Sequence, residues 1–242
     1  MSIMNMPPLA YLKRIPALRP NSLRVAYTDP TVWDNFDPRL FTLCSPDPQA
    51  IRPPNEKINV LQVTLPTNFK AARFEDDRNT EILRTLQKDI EEIRYDVGGS
   101  RVDLPVKLKV HDSIFVPLAK WPMLIAGNYR CITPAGIRTA KDAVHSNIEE
   151  TRSIYNFVFE LCLKIGASPS DLVPFEKYAA AAESLTRPAS AARALYNGAR
   201  NIERVDKLVQ VVAEQQKLKH PILDSIVQLV EAKLAENRRQ AA

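Results

Sequence analysis

The sequence predicts an α/β protein whose second half is entirely helical. Three observations carry this. Up to Val110 the apolar residues recur with period two, in short runs bounded by turn residues. After Gly136 they recur with the 3.6-residue period of helices. The first 57 residues are irregular and proline-rich, through Thr28–Pro38 and Arg52-Pro-Pro-Asn-Glu56. These shifts divide the chain into a basic, proline-containing arm over 1–22, a small α/β domain over 23–120 and an all-helical domain over 121–242.

Lys13, Arg14, Arg19 and Arg24 all precede the first acid, Asp29, whereas the rest of the chain holds 29 basic and 28 acidic side chains. Four of the five net positive charges thus belong to the N-terminal stretch, where Pro7, Pro8, Pro16 and Pro20 oppose a continuous helix. Three readings stand for this arm: an organellar targeting segment, an extended arm laid on a partner protein or RNA, and a disordered tail.

Leu23–Tyr27 and Leu40–Cys44 read as short strands. Ile58–Leu65, rich in β-branched residues, reads as a buried strand. Asp76–Arg94 follows as a helix, with Ile82, Leu83, Leu86, Ile90 and Ile93 on one stripe and acids in its first turn. Gly98-Gly99 marks a hairpin turn. From Val102 to Val110 apolar residues alternate with Asp103, Pro105, Lys107 and Lys109. That is a half-buried strand, and Pro105 places it at a sheet edge or gives it a bulge.

From Pro134 onward everything reads as helix. Ile148–Ile165 is closed by Gly166, and Ser168-Pro-Ser-Asp171 caps the next helix, through Tyr178. Pro188–Tyr196 is closed by Gly198. Ile202–Gln216 and Pro221–Asn237 complete the set, with Pro221 suited to a first turn. One helix carries Ile154, Phe157, Val158, Leu161 and Ile165, another Val205, Leu208, Val209 and Val212. Helices this apolar predict a partner surface or a self-dimer.

Composition excludes several classes. At 45% hydrophobic and 25% charged residues the chain reads as an ordinary globular protein. No stretch approaches the roughly 18 apolar residues of a membrane span. Cys44, Cys131 and Cys162 are scattered, which points to buried thiols in a reducing compartment, cytoplasmic or organellar matrix. His111, His145 and His220 are isolated and read as surface or capping residues, and no GxSxG, HExxH, P-loop or metal-ligand spacing occurs.

The run Pro188–Gly198, then Asn201–Val209, His220–Leu223 and, earlier, Trp121–Asn128 resembles the C-terminal domain of ketopantoate reductases, over roughly residues 115–240. The resemblance implies a Rossmann-like remnant sheet in the N-terminal half, followed by a helical domain like the C-terminal domain of 6-phosphogluconate dehydrogenase. It also implies NADP-dependent reduction of a keto acid, in which a Lys gives the proton and an Asn, a Ser and a Glu position the substrate. Carried over, the substrate-binding residues are Asn128, Ser190 and Glu203, while the Lys position holds Met123, with Lys120 nearby.

A dinucleotide also needs a glycine-rich turn between strand and helix, where backbone N–H groups meet the pyrophosphate. The chain has six glycines and none precedes Gly98. After the candidate strand Leu23–Tyr27 comes Asp29, whose carboxylate would repel phosphate. The sequence therefore predicts a pseudoenzyme: a non-catalytic, ketopantoate-reductase-like protein with no catalytic residue and no cofactor. It would serve as a structural or interaction subunit of a larger assembly, joined through its helical domain to a protein partner or a second copy. The alternative is a divergent NADP-dependent reductase of a small 2-keto acid such as ketopantoate.

Overall fold

The computed structural model describes residues 1–46, 50–51, 55–57, 59–60, 62–63 and 67–241. The chain begins with β1 (Ser2–Ile3), α1 (Leu9–Leu12) and α2 (Pro20–Leu23), passes through 3-10 turns at Arg24–Ala26, Pro30–Trp33 and Pro38–Leu40, and enters β2 (Leu43–Pro46). A two-residue ladder joins β3 (Ala50–Ile51) to β4 (Gln62–Val63). Then come β5 (Thr67–Ala72), α3 (Asp77–Glu92), the hairpin of β6 (Arg94–Val97) and β7 (Ser100–Asp103), and β8 (Val106–His111).

The main sheet has the order β1-β2-β5-β8; β2 runs antiparallel to β5, and β5 parallel to β8. Since α3 connects the parallel pair, β5–α3–β8 is a β-α-β crossover. The helix covers one face of the sheet, where Cys44, Ala71, Leu83 and Leu108 form a small core flanked by Phe69 and Ile90.

The second half opens with α4 (Lys120–Met123), which continues through a wide π-turn (Leu124–Asn128) into a 3-10 turn (Tyr129–Cys131). A small hairpin of β9 (Ile132–Thr133) and β10 (Gly136–Ile137) interrupts the helices, folded around Pro134-Ala135. Helices α5 (Ala140–His145), α6 (Ile148–Lys164), α7 (Phe175–Ala182), α8 (Ser190–Tyr196), α9 (Val205–Gln215) and α10 (Pro221–Gln240) follow. Among the described residues no helix is long and apolar enough to cross a membrane.

Local chemistry explains these boundaries. Asn147 caps α6 by accepting from the Glu150 N–H, and His220 caps α10 with Pro221 in the first turn. Gly166, at φ 118°, closes α6 in a conformation that a Cβ would disfavour, with the Phe115 ring 3.0 Å from where one would sit. Gly98 and Gly99, at φ 60° and 85°, form the two-residue turn between β6 and β7.

Several sequence expectations are corrected. Leu23–Tyr27 is not a strand: Pro20 opens a helical turn, the Ser22 hydroxyl donates back to the Arg19 carbonyl, and Leu23, Ala26 and the half-buried Tyr27 turn inward. Of Ile58–Leu65, Ile58, Leu61, Thr64 and Leu65 lie outside the described residues, and Gln62–Val63 pairs with β3 and not with the main sheet. The strand feeding α3 is β5. Val102–Val110 splits at Leu104-Pro105 into β7 and β8, which belong to different sheets: the proline breaks the predicted strand in two, and β8 lies at the edge of the main sheet. On α3 only Leu83 of the predicted stripe is buried, while Ile82, Leu86 and Ile93 stand 67%, 44% and 53% exposed.

The largest correction concerns residues 1–22. Met6, Leu9, Tyr11, Leu12, Ile15 and Leu18 are buried in the same core as the helices. The Tyr11 hydroxyl donates to the Ile114 carbonyl, and the Arg14 guanidinium donates to the carbonyls of Phe41 (2.9 Å) and Arg73 (3.0 Å). Gln215 and Gln216 at the end of α9 hold the backbone of Arg19 and Ala17. The prolines break this segment into short turns without making it an arm, and Arg14 is a structural donor. The helices read as apolar on several sides are likewise satisfied within the chain. Ile154, Val158, Leu161, Ile165, Val205, Leu208, Val209 and Val212 are all buried within the chain, and Phe157 is half-buried.

Gly127 marks the tightest approach. A Cβ there would sit 1.9 Å from the Tyr178 hydroxyl, and that ring is stacked on Tyr155 at 5.3 Å. Gly127→Ala is expected to cost about 1–3 kcal/mol through overpacking. Adding Tyr178→Phe leaves the ring carbon at 3.2 Å as the nearest neighbour and should recover part of that loss. Urea unfolding of both single variants and the double variant reads the coupling, and strict additivity would show that the clash is relieved elsewhere.

Candidate functional site

In a β-α-β unit a bound pyrophosphate would meet the N-terminus of the crossover helix, outside the carboxyl ends of the parallel strands. Here that place is the turn Arg73–Asp76. The Asp76 carboxylate accepts from the Arg78 N–H at 2.7 Å, so the chain's own acid occupies the helix end. Glu75 and Asp77 flank it, and the nearby cations Arg73 and Arg78 are paired with Asp77 and Asp76, at 2.5 and 3.3 Å. No glycine lets backbone approach a ligand. The stretch proposed from sequence, 23–34, consists of helical turns, with Asp29 capping one of them by accepting from the Thr31 N–H. Neither turn fits a dinucleotide phosphate, for the same electrostatic reason.

The residues carried over for substrate binding gather around one segment. Asn128 ends the π-turn that packs against α8 and α9. Ser190 is the first residue of α8, exposed, and its hydroxyl caps nothing. Glu203 lies in the loop before α9, which starts at Val205 and not at Ile202 as its apolar pattern suggests. The next residue along from Asn128, Tyr129, fixes that loop: its hydroxyl donates to the Glu203 carbonyl and accepts from the Val205 N–H. The Glu203 side chain accepts from the Met6 N–H, and burial raises its pKa although much of the residue's surface stays open. The three residues therefore share a neighbourhood without bonding to one another. Two surface clefts, of about 540 and 390 Å³, are lined by other residues, one between α2 and α9 and one between the β9–β10 turn and α10.

At the position of the family's proton donor, Met123 is half-buried, and its carbonyl accepts from the Tyr178 hydroxyl at 3.2 Å. Lys120 opens α4 beside Cys44. Other chemistry is absent among the described residues. No group of His, Cys, Asp and Glu could hold a metal ion. His220 Nε2 lies 3.2 Å from the Ser153 hydroxyl, which looks like a catalytic pair, but its Nδ1 accepts from the Ile222 N–H. The neutral ring must then carry its proton on Nε2 and cannot take one from the serine. His145 bonds the Ala179 carbonyl beside Glu183.

All three cysteines are free and buried, and burial pushes the Cys44 thiol up to about 11 and the Cys162 thiol up to about 12. Thiolate is the reactive form. A disulfide reagent at mildly alkaline pH is therefore expected to label none of them until the chain unfolds, and fast native labelling of one thiol would contradict this packing.

No family model matches the sequence, and no curated protein matches it. Among solved structures the chain is similar to D-mandelate dehydrogenase, in a ternary structure with NADH and anilino(oxo)acetate, at a TM-score of 0.61 and 11% identity over 86% of this chain. The chain spans 65% of the length of that dehydrogenase. At this identity the likeness speaks for fold alone: a dehydrogenase-like architecture, with a Rossmann-like remnant sheet followed by helices.

Proposed function

We propose that this chain is a non-catalytic relative of ketopantoate reductase, divided near residue 120 between a degenerate nucleotide half and a retained helical half, and that it acts as a structural or interaction subunit. One observation carries the reading: at the head of the crossover helix, where a pyrophosphate would have to bind, the Asp76 carboxylate takes the N–H group of Arg78. Met123, whose thioether cannot donate a proton, agrees with it. Asn128, Ser190 and Glu203 are then remnants of a substrate site. The surface suited to an interaction role is the exposed shoulder of α3, Ile82, Leu86 and Ile93, continued by Tyr95 and Val97 on the hairpin.

A second reading, a divergent NADP-dependent reductase of a small 2-keto acid, draws on the NADH and oxoacid named for the dehydrogenase of similar fold. Calorimetric titration of the full chain with NADPH separates the two. No saturable heat and no ketopantoate reduction are expected, and Met123→Lys should not create turnover because the phosphate turn would still be closed. Saturable binding at micromolar NADPH would overturn the first reading and favour the second.

A further inference from the structure

Helix α3 carries more apolar surface than the sheet beneath it covers. Leu83 and Ile90 turn to the sheet. At about 3.6 residues per turn, Ile82, Leu86 and Ile93 fall within about 40° of one another on the adjoining face. They stand 67%, 44% and 53% exposed. Arg78 and Asp89 border the same stripe, one towards each end of the helix.

The hairpin that follows has no support either. β6 and β7 form a two-stranded sheet of their own, and every residue of the two strands is exposed except the half-buried Val102. Register puts Arg94, Asp96, Arg101 and Asp103 on one face, where Arg94 and Asp103 are paired at 2.7 Å. Tyr95, Val97 and Val102 take the other face. An isolated two-stranded hairpin is marginal in water, so a surface that covers its apolar side stabilises it.

Charge along this ridge is split so that it complements its own reverse. Residues 77–88 hold Arg78, Arg84 and Lys88 against Asp77 and Glu81, a net of +1. Residues 89–97 hold Asp89, Glu91, Glu92 and Asp96 against Arg94, a net of −3. An antiparallel copy sets the positive half of each ridge against the negative half of the other. With Ile82 over the partner's Leu86, a two-fold axis passes near Arg84. Arg78 then faces the partner's Asp89 with an offset of one residue, about 1.5 Å, at both ends of the pair. Both charges are available for this: Arg78 meets Asp76 at 3.3 Å with its side chain 93% exposed. Asp89 is exposed and makes no ion pair among the described residues, Lys88 being paired with Glu92.

We propose that α3 and the β6–β7 hairpin dock on the same surface of a second copy of this chain, antiparallel about a two-fold axis near Arg84. This deepens, and rests on, the reading of the chain as an interaction subunit. The two-fold axis lays each hairpin beside the head of the other copy's α3. The ridge is narrow, with a helix of 16 residues, about 24 Å long, so the dimer falls below the standard interface of about 800 Å² per partner and is weak.

Sedimentation velocity of the full chain reads the association, and dissociation in the range of about 10–100 μM is expected. Leu86→Glu should abolish it. Val25→Glu, at an exposed apolar site on the turn packed against α9, should leave it unchanged. Arg78→Glu alone and Asp89→Arg alone should each weaken it about tenfold, because two symmetric contacts turn from attraction to repulsion at once. An equimolar mixture of those two variants should associate as well as the unsubstituted chain, since in the mixed pair one contact is untouched and the other has its charges exchanged. Both sites are exposed and both substitutions suit the helix dipole, so the fold is not at risk. The proposal is overturned by a monomer at every concentration, by association that Leu86→Glu leaves intact, or by single variants that fail to recover on mixing. A monomer that also gives no heat with NADPH would overturn the dimer alone, leave the non-catalytic reading standing and assign the ridge to a different protein.

Discussion

Deleting residues 1–18 is expected to abolish cooperative folding. Leu9, Tyr11, Leu12, Ile15 and Leu18 are buried against the helices, and burial of one such side chain contributes about 1.5–3 kcal/mol. Five of them together rival the whole net stability of a typical domain, about 5–15 kcal/mol. The deletion also strips the Phe41 and Arg73 carbonyls of the Arg14 guanidinium and leaves the Ile114 carbonyl without the Tyr11 hydroxyl. Circular dichroism with thermal and urea unfolding checks this. A truncated chain that unfolds cooperatively near the full-length midpoint would show that the segment is a dispensable tail.

The second large effect is expected at Asp206, which has no exposed surface and binds the Arg204 guanidinium through both carboxylate oxygens, at 2.9 and 3.0 Å. Asp206→Ala leaves a largely buried guanidinium with only the half-exposed Glu231, at 3.5 Å, as its counter-charge. Breaking a buried pair from one side costs about 3–5 kcal/mol. For a chain of this size that is a fall in Tm of about 6–20 °C. The urea midpoint should drop with an unchanged slope. A loss below about 1 kcal/mol, the scale of a surface pair, would mean that Glu231 had taken over as partner.

The sequence was legible where one local force dominates. The span of α6 follows from its apolar period, Asn147 and Gly166; the β6–β7 turn follows from Gly98-Gly99. It was misleading where tertiary contacts overrule local pattern. Four prolines suggested a free arm, yet Leu9, Leu12, Ile15 and Leu18 recur every third residue, the one signal in that stretch of a buried face. Strand β5 was missed because Asn68, Lys70, Ala71 and Ala72 have little intrinsic preference for strands. Loop length could have found it, since the segment joining a strand to the next helix is usually two to six residues and α3 starts at Asp77. For the candidate site, the carboxylate opposing phosphate was sought at Asp29, because the crossover turn at Arg73–Asp76 could not be located without β5. Register is unreadable locally for a similar reason: Ser45, Lys70 and Lys109 become neighbours only through strand pairing.

The threading of the N-terminal segment also bears on the order in which the molecule can be made. Arg19 is held by Gln215, and Met6 reaches Glu203, so the first turns of the chain find their partners almost two hundred residues later. On a ribosome those apolar turns emerge well before α9 and must wait, unburied, until it has been synthesised. Contacts of such long range are closed late and slowly. During that interval Leu9, Leu12 and Ile15 form an adhesive surface that folding alone cannot cover.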